Sequence, residues 1–285
     1  MNPTQRAIFL FLALILTGTL LAGCGKIPGI GPASGVEDGV LTVAMECAYA
    51  PYNWTQTNDA NGAVPIKGAD GEYANGYDVM MAKKICEANG WQLEVVRLDW
   101  DSLVPAVQTG QVDAVIAGQS MTSERAEQVD FAGPYLYASI VVLTRKDSPV
   151  ANARILADLA GASCTSQMGT VWYDTCLPQI EGADIKAPKD SAPTMLMALE
   201  TGDVDFVCTD MPTAQGAMAV YDDMVVLELI DGFTVSEEEI NIGISVQKGN
   251  RFLKDKINAV LATMTEKDFN AMMAEATKIQ PLSQD

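Results

Sequence analysis

The chain has 285 residues, 48% of them hydrophobic and 19% charged, which is apolar material for two cores at a length where single cores usually divide. Its 37 acidic and 18 basic residues leave a formal net charge of -19, which repels a phosphate backbone and argues against nucleic acid as a partner. Histidine is absent, so Ser-His-Asp and Cys-His nucleophile systems, His general acid–base catalysis and the usual zinc sites are excluded, and no metal or cofactor is implied.

Arg6 precedes an uncharged stretch, 7–25, that is strongly apolar from Ala7 to Leu16, the n-region and h-region of a secretory signal. The stretch runs through Leu21-Ala22-Gly23-Cys24, which resembles the bacterial lipobox, and the resemblance implies cleavage after residue 23 and a lipid on Cys24. The alternative is an N-terminal membrane helix, because the uncharged run is nearly long enough to span a bilayer. The small-residue cleavage site, and the breakers Gly25, Pro28, Gly29, Gly31, Pro32, Gly35 and Gly39 that follow, favour the signal. Residues 1–23 therefore read as a signal peptide and 24–39 as a flexible tether, with the remainder held at the membrane on its extracytoplasmic face. Cys47, Cys86, Cys164, Cys176 and Cys208 are an odd set, so at least one stays unpaired; Cys164 with Cys176 or with Cys208 are the candidate disulfides.

From Leu41 short apolar strands alternate with periodic helices. Leu41 to Met45 reads as a strand, and Tyr77, Met81, Ile85 and Ala88 recur on one face of a helix. Leu93 to Leu98 is the next strand, followed by a helix from Ser102 with Pro105 in its first turn and Gly110 at its C-cap, then a strand from Val112 to Ala117. Strands are also expected at Ile140–Thr144 and Ala162–Ser166, with a helical stretch after Gly169. The helix–Gly–strand unit then returns as Ala192–Gly202 and Val204–Cys208: Thr109-Gly110-x-Val112-Asp113 and Thr201-Gly202-x-Val204-Asp205 share every position but the middle one. This implies two similar α/β lobes with parallel sheets, whose polar turns, Gly118-Gln119-Ser120 and Thr209-Asp210, follow the carboxyl ends of strands where ligands bind. Ile257, Val260, Leu261 and Met264 mark a packed C-terminal helix, the run Glu237-Glu238-Glu239 a solvated face, and Gln56 to Glu72 a long rim element or solvated loop.

The ordered set Ala50-Pro51-Tyr52, Gly76-Tyr77-Asp78, Gly110-x-Val112-Asp113-Ala114-Val115, Ser120-Met121-Thr122-x-x-Arg125, Val129-Asp130-Phe131, Pro134-Tyr135 and Thr209-Asp210 resembles the polar amino-acid solute-binding proteins of ABC importers, from about Leu41 to Pro281. The resemblance implies a type II periplasmic-binding-protein-like fold: lobe one from 40–137 and 240–285, lobe two from 138–239, hinged by crossing strands near Tyr137 to Val141 and Glu239 to Gly243. A free amino acid is a zwitterion and needs a fixed cation and a fixed anion shielded from water. By the resemblance Arg125 takes the carboxylate and Asp210 the ammonium. Ala117, Gly118, Ser120 and Thr170 lend backbone or hydroxyl groups, and Tyr49 and Trp100 sandwich the side chain. Glu46, with Asp78 nearby, stands where binders of basic amino acids meet the distal cation, which leans the pocket towards Lys, Arg or ornithine, with Gln, His or another polar amino acid as the alternative.

The implied partners are a free L-amino acid, the transmembrane subunits of an ABC permease and, through the lipid on Cys24, the membrane. Closure around the ligand follows from its differential affinity for the closed form, with no bond chemistry. The alternatives are a prephenate- or arogenate-dehydratase-like enzyme on the same scaffold, for which Glu46 or Asp78 would supply the acid, and a ligand-sensing module.

Overall fold

The computed structural model describes residues 35–281, so the expected signal peptide, Cys24 and most of the expected tether lie outside the described residues. At the end of that tether Val36 is already 6% exposed and packed into the core, and the Gly39 N–H donates to Val36 O at 3.1 Å.

In chain order the strands are β1 (Val40–Met45), β2 (Ala48–Tyr49), β3 (Asn53–Gln56), β4 (Val64–Pro65), β5 (Tyr73–Asn75), β6 (Gln92–Arg97), β7 (Ala114–Val115), β8 (Val129–Tyr137), β9 (Ile140–Arg145), β10 (Ser163–Thr165), β11 (Asp184–Ile185), β12 (Phe206–Asp210), β13 (Met224–Val226) and β14 (Asn241–Gln247). The α-helices are α1 (Tyr77–Asn89), α2 (Trp100–Thr109), α3 (Ser123–Gln128), α4 (Ala192–Glu200), α5 (Met211–Val220), α6 (Glu237–Ile240), α7 (Arg251–Leu261) and α8 (Glu266–Ile279).

Two sheets carry the lobes. The first has strand order β6-β1-β7-β14-β8 and the second β11-β10-β12-β9-β13. In each, the second strand pairs in parallel with both neighbours and the fourth strand runs antiparallel. The repeated Val-Asp has the same task in both: Asp113 Oδ2 accepts from the Thr42 N–H of β1 at 2.8 Å, and Asp205 Oδ2 from the Ser163 N–H of β10 at 2.8 Å. Gly110 and Gly202 turn the chain between helix and strand with φ +74 and +79, a conformation glycine adopts without strain. The chain leaves the first sheet through Ala138-Ser139 and returns after α6, and the two passages touch where the Ala138 N–H donates to Ile240 O at 2.9 Å.

The local boundaries differ from the expected ones in ways that matter. The α2 helix begins at Trp100, not Ser102, because Asp99 is extended (φ -65, ψ 152) and the first turn closes between Asp99 O and the Ser102 N–H; Pro105 is therefore interior. The strand expected at Val204–Cys208 is shifted to β12, which runs to Asp210. The stretch after Gly169 forms a π-helical turn, Trp172–Cys176. The Gln56–Glu72 segment adds β4 to a small antiparallel sheet of order β2-β3-β5-β4, and Ile66 bridges to Val95 of β6, covering the open edge of the first sheet. The run Glu237-Glu238-Glu239 is the first turn of α6, capped reciprocally by Ser236 and Glu239. The α7 helix buries Leu253, Ile257 and Leu261, and ends before Met264.

Cys47, Cys86, Cys164, Cys176 and Cys208 are all buried free thiols, so neither candidate pair of Cys164 forms. Cys164 of β10 stands opposite Phe206 of β12, which puts Cys208 two residues further along; at about 4.8 Å between strands and about 3.3 Å per residue, the pair is out of bridging range.

Gly76 shows how the fold bears on the cleft. It has φ +123, and a Cβ there would lie 2.4 Å from the carbonyl oxygen of Tyr52, which accepts from the Asp78 N–H at 2.8 Å. Gly76→Ala is expected to cost about 3 kcal/mol or more, from strained backbone plus overpacking, read as a lower urea midpoint at unchanged slope.

Candidate functional site

The turns after the strands of both sheets meet in one cleft. The first lobe supplies Glu46 after β1, Tyr49 in β2, Tyr52, Trp100 at the start of α2, residues 117–120 after β7, and Arg125 in α3. The second supplies 167–172 after β10 and Asp210 at the end of β12. These are the carboxyl ends of parallel strands, where the sheet leaves room for a ligand.

Arg125 joins the lobes. The Thr122 side chain caps α3 by accepting from the Arg125 N–H at 3.3 Å, and the guanidinium donates through Nη1 to Ser120 O at 2.9 Å and through Nη2 to Gly169 O of the other lobe at 2.8 Å. The guanidinium lies 5.3 Å above the Trp100 ring. Burial pulls its pKa down to about 10, against the pull of Glu124 and Asp174.

Asp210 is 2% exposed. Its Oδ1 accepts the Thr213 N–H at 2.9 Å, as the N-cap of α5. Its Oδ2 accepts the Tyr52 hydroxyl at 2.7 Å and the Tyr49 hydroxyl at 3.2 Å, both from the opposite lobe. The two tyrosine rings stack at 4.6 Å, and they lie so close to Gly118 that a Cβ there would stand 2.7 Å from Tyr49 Cε1. Burial raises the Asp210 carboxyl above its ordinary range, with the Thr213 and tyrosine hydrogen bonds opposing.

Glu46 is 7% exposed; Gln167 Nε2 reaches its Oε1 at 3.5 Å, and its buried Oε2 has no donor. Burial pushes its carboxyl up to about 7, with Gln167 opposing and Asp99, Asp78 and Asp101 adding to the rise. Asp78 is fully buried, accepting from Asn53 Nδ2 at 2.7 Å and the Tyr135 hydroxyl at 2.6 Å, and burial likewise raises it to about 7. The Tyr135 oxygen in turn accepts the Gly118 N–H at 3.0 Å, so Asp78 supports the Gly118 turn from behind. Among the described residues no ion pair engages Arg125, Asp210, Glu46 or Asp78.

Two spaces with partly shared walls lie between the lobes. A narrow one is bordered by Tyr49, Trp100, Gly118, Ser120, Arg125, Gln167, Thr170, Val171 and Trp172. An outer cleft of about 510 Å³ shares Trp100, Arg125, Thr170 and Val171 and has an acidic rim that includes Asp101, Glu124, Asp174 and Glu239. The structure thus brings together six expected residues: Tyr49, Trp100, Gly118, Ser120, Arg125 and Thr170. Asp210 lies under the tyrosine pair and Glu46 behind Gln167, while Asp78 and Ala117 are fully buried and border neither space. Tyr52, Gln167 and Trp172 were missed. Their signals were the Ala50-Pro51-Tyr52 motif itself and the position of 166–172 after a strand, equivalent to the Gly118 turn. Among the described residues no group of three or more acidic or Cys side chains is arranged to hold a metal ion, and no helix is long and apolar enough to cross a membrane.

Residues 41–275 match the bacterial extracellular solute-binding proteins, family 3. Over 266 residues the chain is 27% identical to the arginine-binding extracellular protein ArtP of Bacillus subtilis, covering 92% of this chain and 93% of that one. It is 27% identical over 211 residues to a probable histidine-binding protein of Campylobacter jejuni, covering 73% and 75% of the two chains. The solved arginine-bound form of truncated ArgBP from T. maritima has a TM-score of 0.66 to this structure at 28% identity, covering 80% of this chain and 97% of that one.

The raised carboxyl of Glu46 has a consequence for stability. The fold holds its proton more tightly than the unfolded chain does, so the contribution is present below the ordinary value of 4.5 and is lost as pH rises to about 7. Glu46→Gln is expected to stabilise the ligand-free protein by about 3 kcal/mol at pH 8 and little at pH 4, measured by urea unfolding at the two pH values.

Proposed function

The chain belongs to family 3 of the bacterial extracellular solute-binding proteins, and on that premise we propose that its cleft closes around a free amino acid with a cationic side chain, lysine, arginine or ornithine, for delivery to an ABC permease. The observation that carries this is a set of buried or half-buried ionisable groups that meet no opposite charge among the described residues: Arg125, Asp210 and, with one oxygen lacking any donor, Glu46. A zwitterion with a second cation would satisfy all three at once. The arginine named for the B. subtilis and T. maritima proteins supports the same class.

In this reading Arg125 exchanges its bonds to Ser120 O and Gly169 O for the ligand carboxylate. The ammonium replaces the longer Tyr49 bond on Asp210, and the distal cation meets Glu46 and Gln167. Gly118, Ser120 and Thr170 frame the ligand with backbone and hydroxyl groups. Because contacts come from both lobes, the ligand shifts the hinge equilibrium by its preference for the closed state. We read no bond-making step. Of the two acids that could serve a dehydratase, Glu46 and Asp78, Asp78 is engaged by Asn53 and Tyr135 away from the cleft. Cys24 is proposed to carry a lipid that anchors the domain at the outer side of the cytoplasmic membrane.

A melting-temperature scan of the protein against the twenty amino acids, ornithine and citrulline tests the ligand. A binder at about a hundred times its dissociation constant adds about 2.7 kcal/mol, and the rise is expected with Lys, Arg and ornithine and to vanish in Arg125→Leu and Asp210→Asn. A rise confined to neutral amino acids would overturn the Glu46 assignment, and flat curves throughout would overturn the zwitterion site. Growth with labelled palmitate is expected to label the wild type and not Cys24→Ala; an unlabelled wild type held in the membrane would instead favour an uncleaved helix.

A further inference from the structure

Two tryptophans border the narrow space, and the contacts of each are different. Trp100 would be expected to stack on the ligand side chain opposite Tyr49. Instead its ring carries the Arg125 guanidinium, 5.3 Å from the centroid. Its Nε1 lies 3.5 Å from where a Cβ of Gly169 would stand, and Gly169 O accepts from the same guanidinium. Trp100 is therefore committed to a three-part contact of Arg125, Gly169 and indole across the cleft.

Trp172 comes from the opposite lobe, as the first residue of the π-helical turn, and is 8% exposed. Its ring centroid is 6.2 Å from that of Tyr49, inclined by 56°, and both border the narrow space. The stacked face of Tyr49 is covered by Tyr52, so Trp172 is the aromatic neighbour it meets from the other lobe.

We infer that Trp172, with Tyr49, forms the aromatic wedge that grips the ligand side chain and sets side-chain preference, and that Trp100 is a positioning residue acting through Arg125. The inference rests on the amino-acid-binding reading above. A half-buried guanidinium loses part of its water, and an aromatic face returns some of that cost. Loss of Trp100 therefore weakens the grip on the carboxylate, which every amino acid shares. Loss of Trp172 removes a surface whose contact depends on the side chain, largest for the flat guanidinium of arginine, which stacks on rings where an ammonium does not.

Calorimetric titration of the full chain with L-arginine, L-lysine, L-ornithine and L-histidine separates the two roles. Trp100→Leu is expected to raise every Kd by one common factor, about tenfold, with Trp100→Phe restoring affinity to within about threefold by keeping a π face. Trp172→Leu is expected to raise the Kd unequally, at least about fivefold more for arginine than for ornithine. The inference is overturned if Trp100→Leu changes the ratios among ligands, or if Trp172→Leu leaves them as in the wild type. Should the wild type select neutral amino acids, the Glu46 reading fails separately, and the same ratios taken between glutamine and cystine decide the roles of the tryptophans.

Discussion

A buried charge is costly unless an opposite charge or a full set of hydrogen bonds meets it, and the centre of this protein holds four ionisable groups, buried or half-buried, that do not pair with one another. Arg125 is met by two carbonyl oxygens and a tryptophan face, Asp210 by two tyrosine hydroxyls and a helix N-terminal N–H, and Asp78 by an asparagine and a tyrosine. Glu46 is met by a single long bond from Gln167. Much of the nearby packing serves these compensations. The tyrosine stack requires the bare backbone of Gly118, and Gly76 allows the Tyr52 carbonyl to rest on the start of α1.

The same compensations tie the lobes together. Tyr49 and Tyr52 reach Asp210, Arg125 reaches Gly169, and Gln167 reaches Glu46, each across the cleft. Away from it, Gln280 after α8 donates to Gly216 O of α5 at 3.0 Å, where the absence of a Cβ lets the two lobes approach. Contacts of this kind stabilise closure with or without a ligand, so they set the baseline from which a ligand works. On the proposed reading, the polar bonds inside the cleft are those a zwitterion takes over group by group, and a ligand that lacks a matching charge would leave a buried group worse off than before closure.

The two sheets show why the repeat was legible. A Gly at a helix C-cap and an Asp that pins the neighbouring strand are local devices, and both copies keep them. The places of Arg125 and Asp210 are local in the same way, since each is defined by immediate neighbours, a Thr cap or a strand end. Sequence reading went astray where burial, partner geometry or register decides. Asp78 is expected beside Glu46 in the pocket, yet the helix turns it towards Asn53 and Tyr135. Cys164 and Cys208 looked like a pair, but sheet register separates them.

What the amino-acid order determined by itself was the alternation of strands and helices, the repeated helix–Gly–strand unit and the family to which the chain belongs. Each rests on spacing along the chain or on a cap between residues three or four apart. Only the tertiary structure decided that Tyr52 and Tyr49 share Asp210 and that Trp100 is taken by Arg125. It also decided that Trp172 faces Tyr49 from the other lobe and that one oxygen of Glu46 is left without a donor. These are contacts between residues up to 161 positions apart, and their geometry depends on how the two sheets close on each other, which no local pattern encodes.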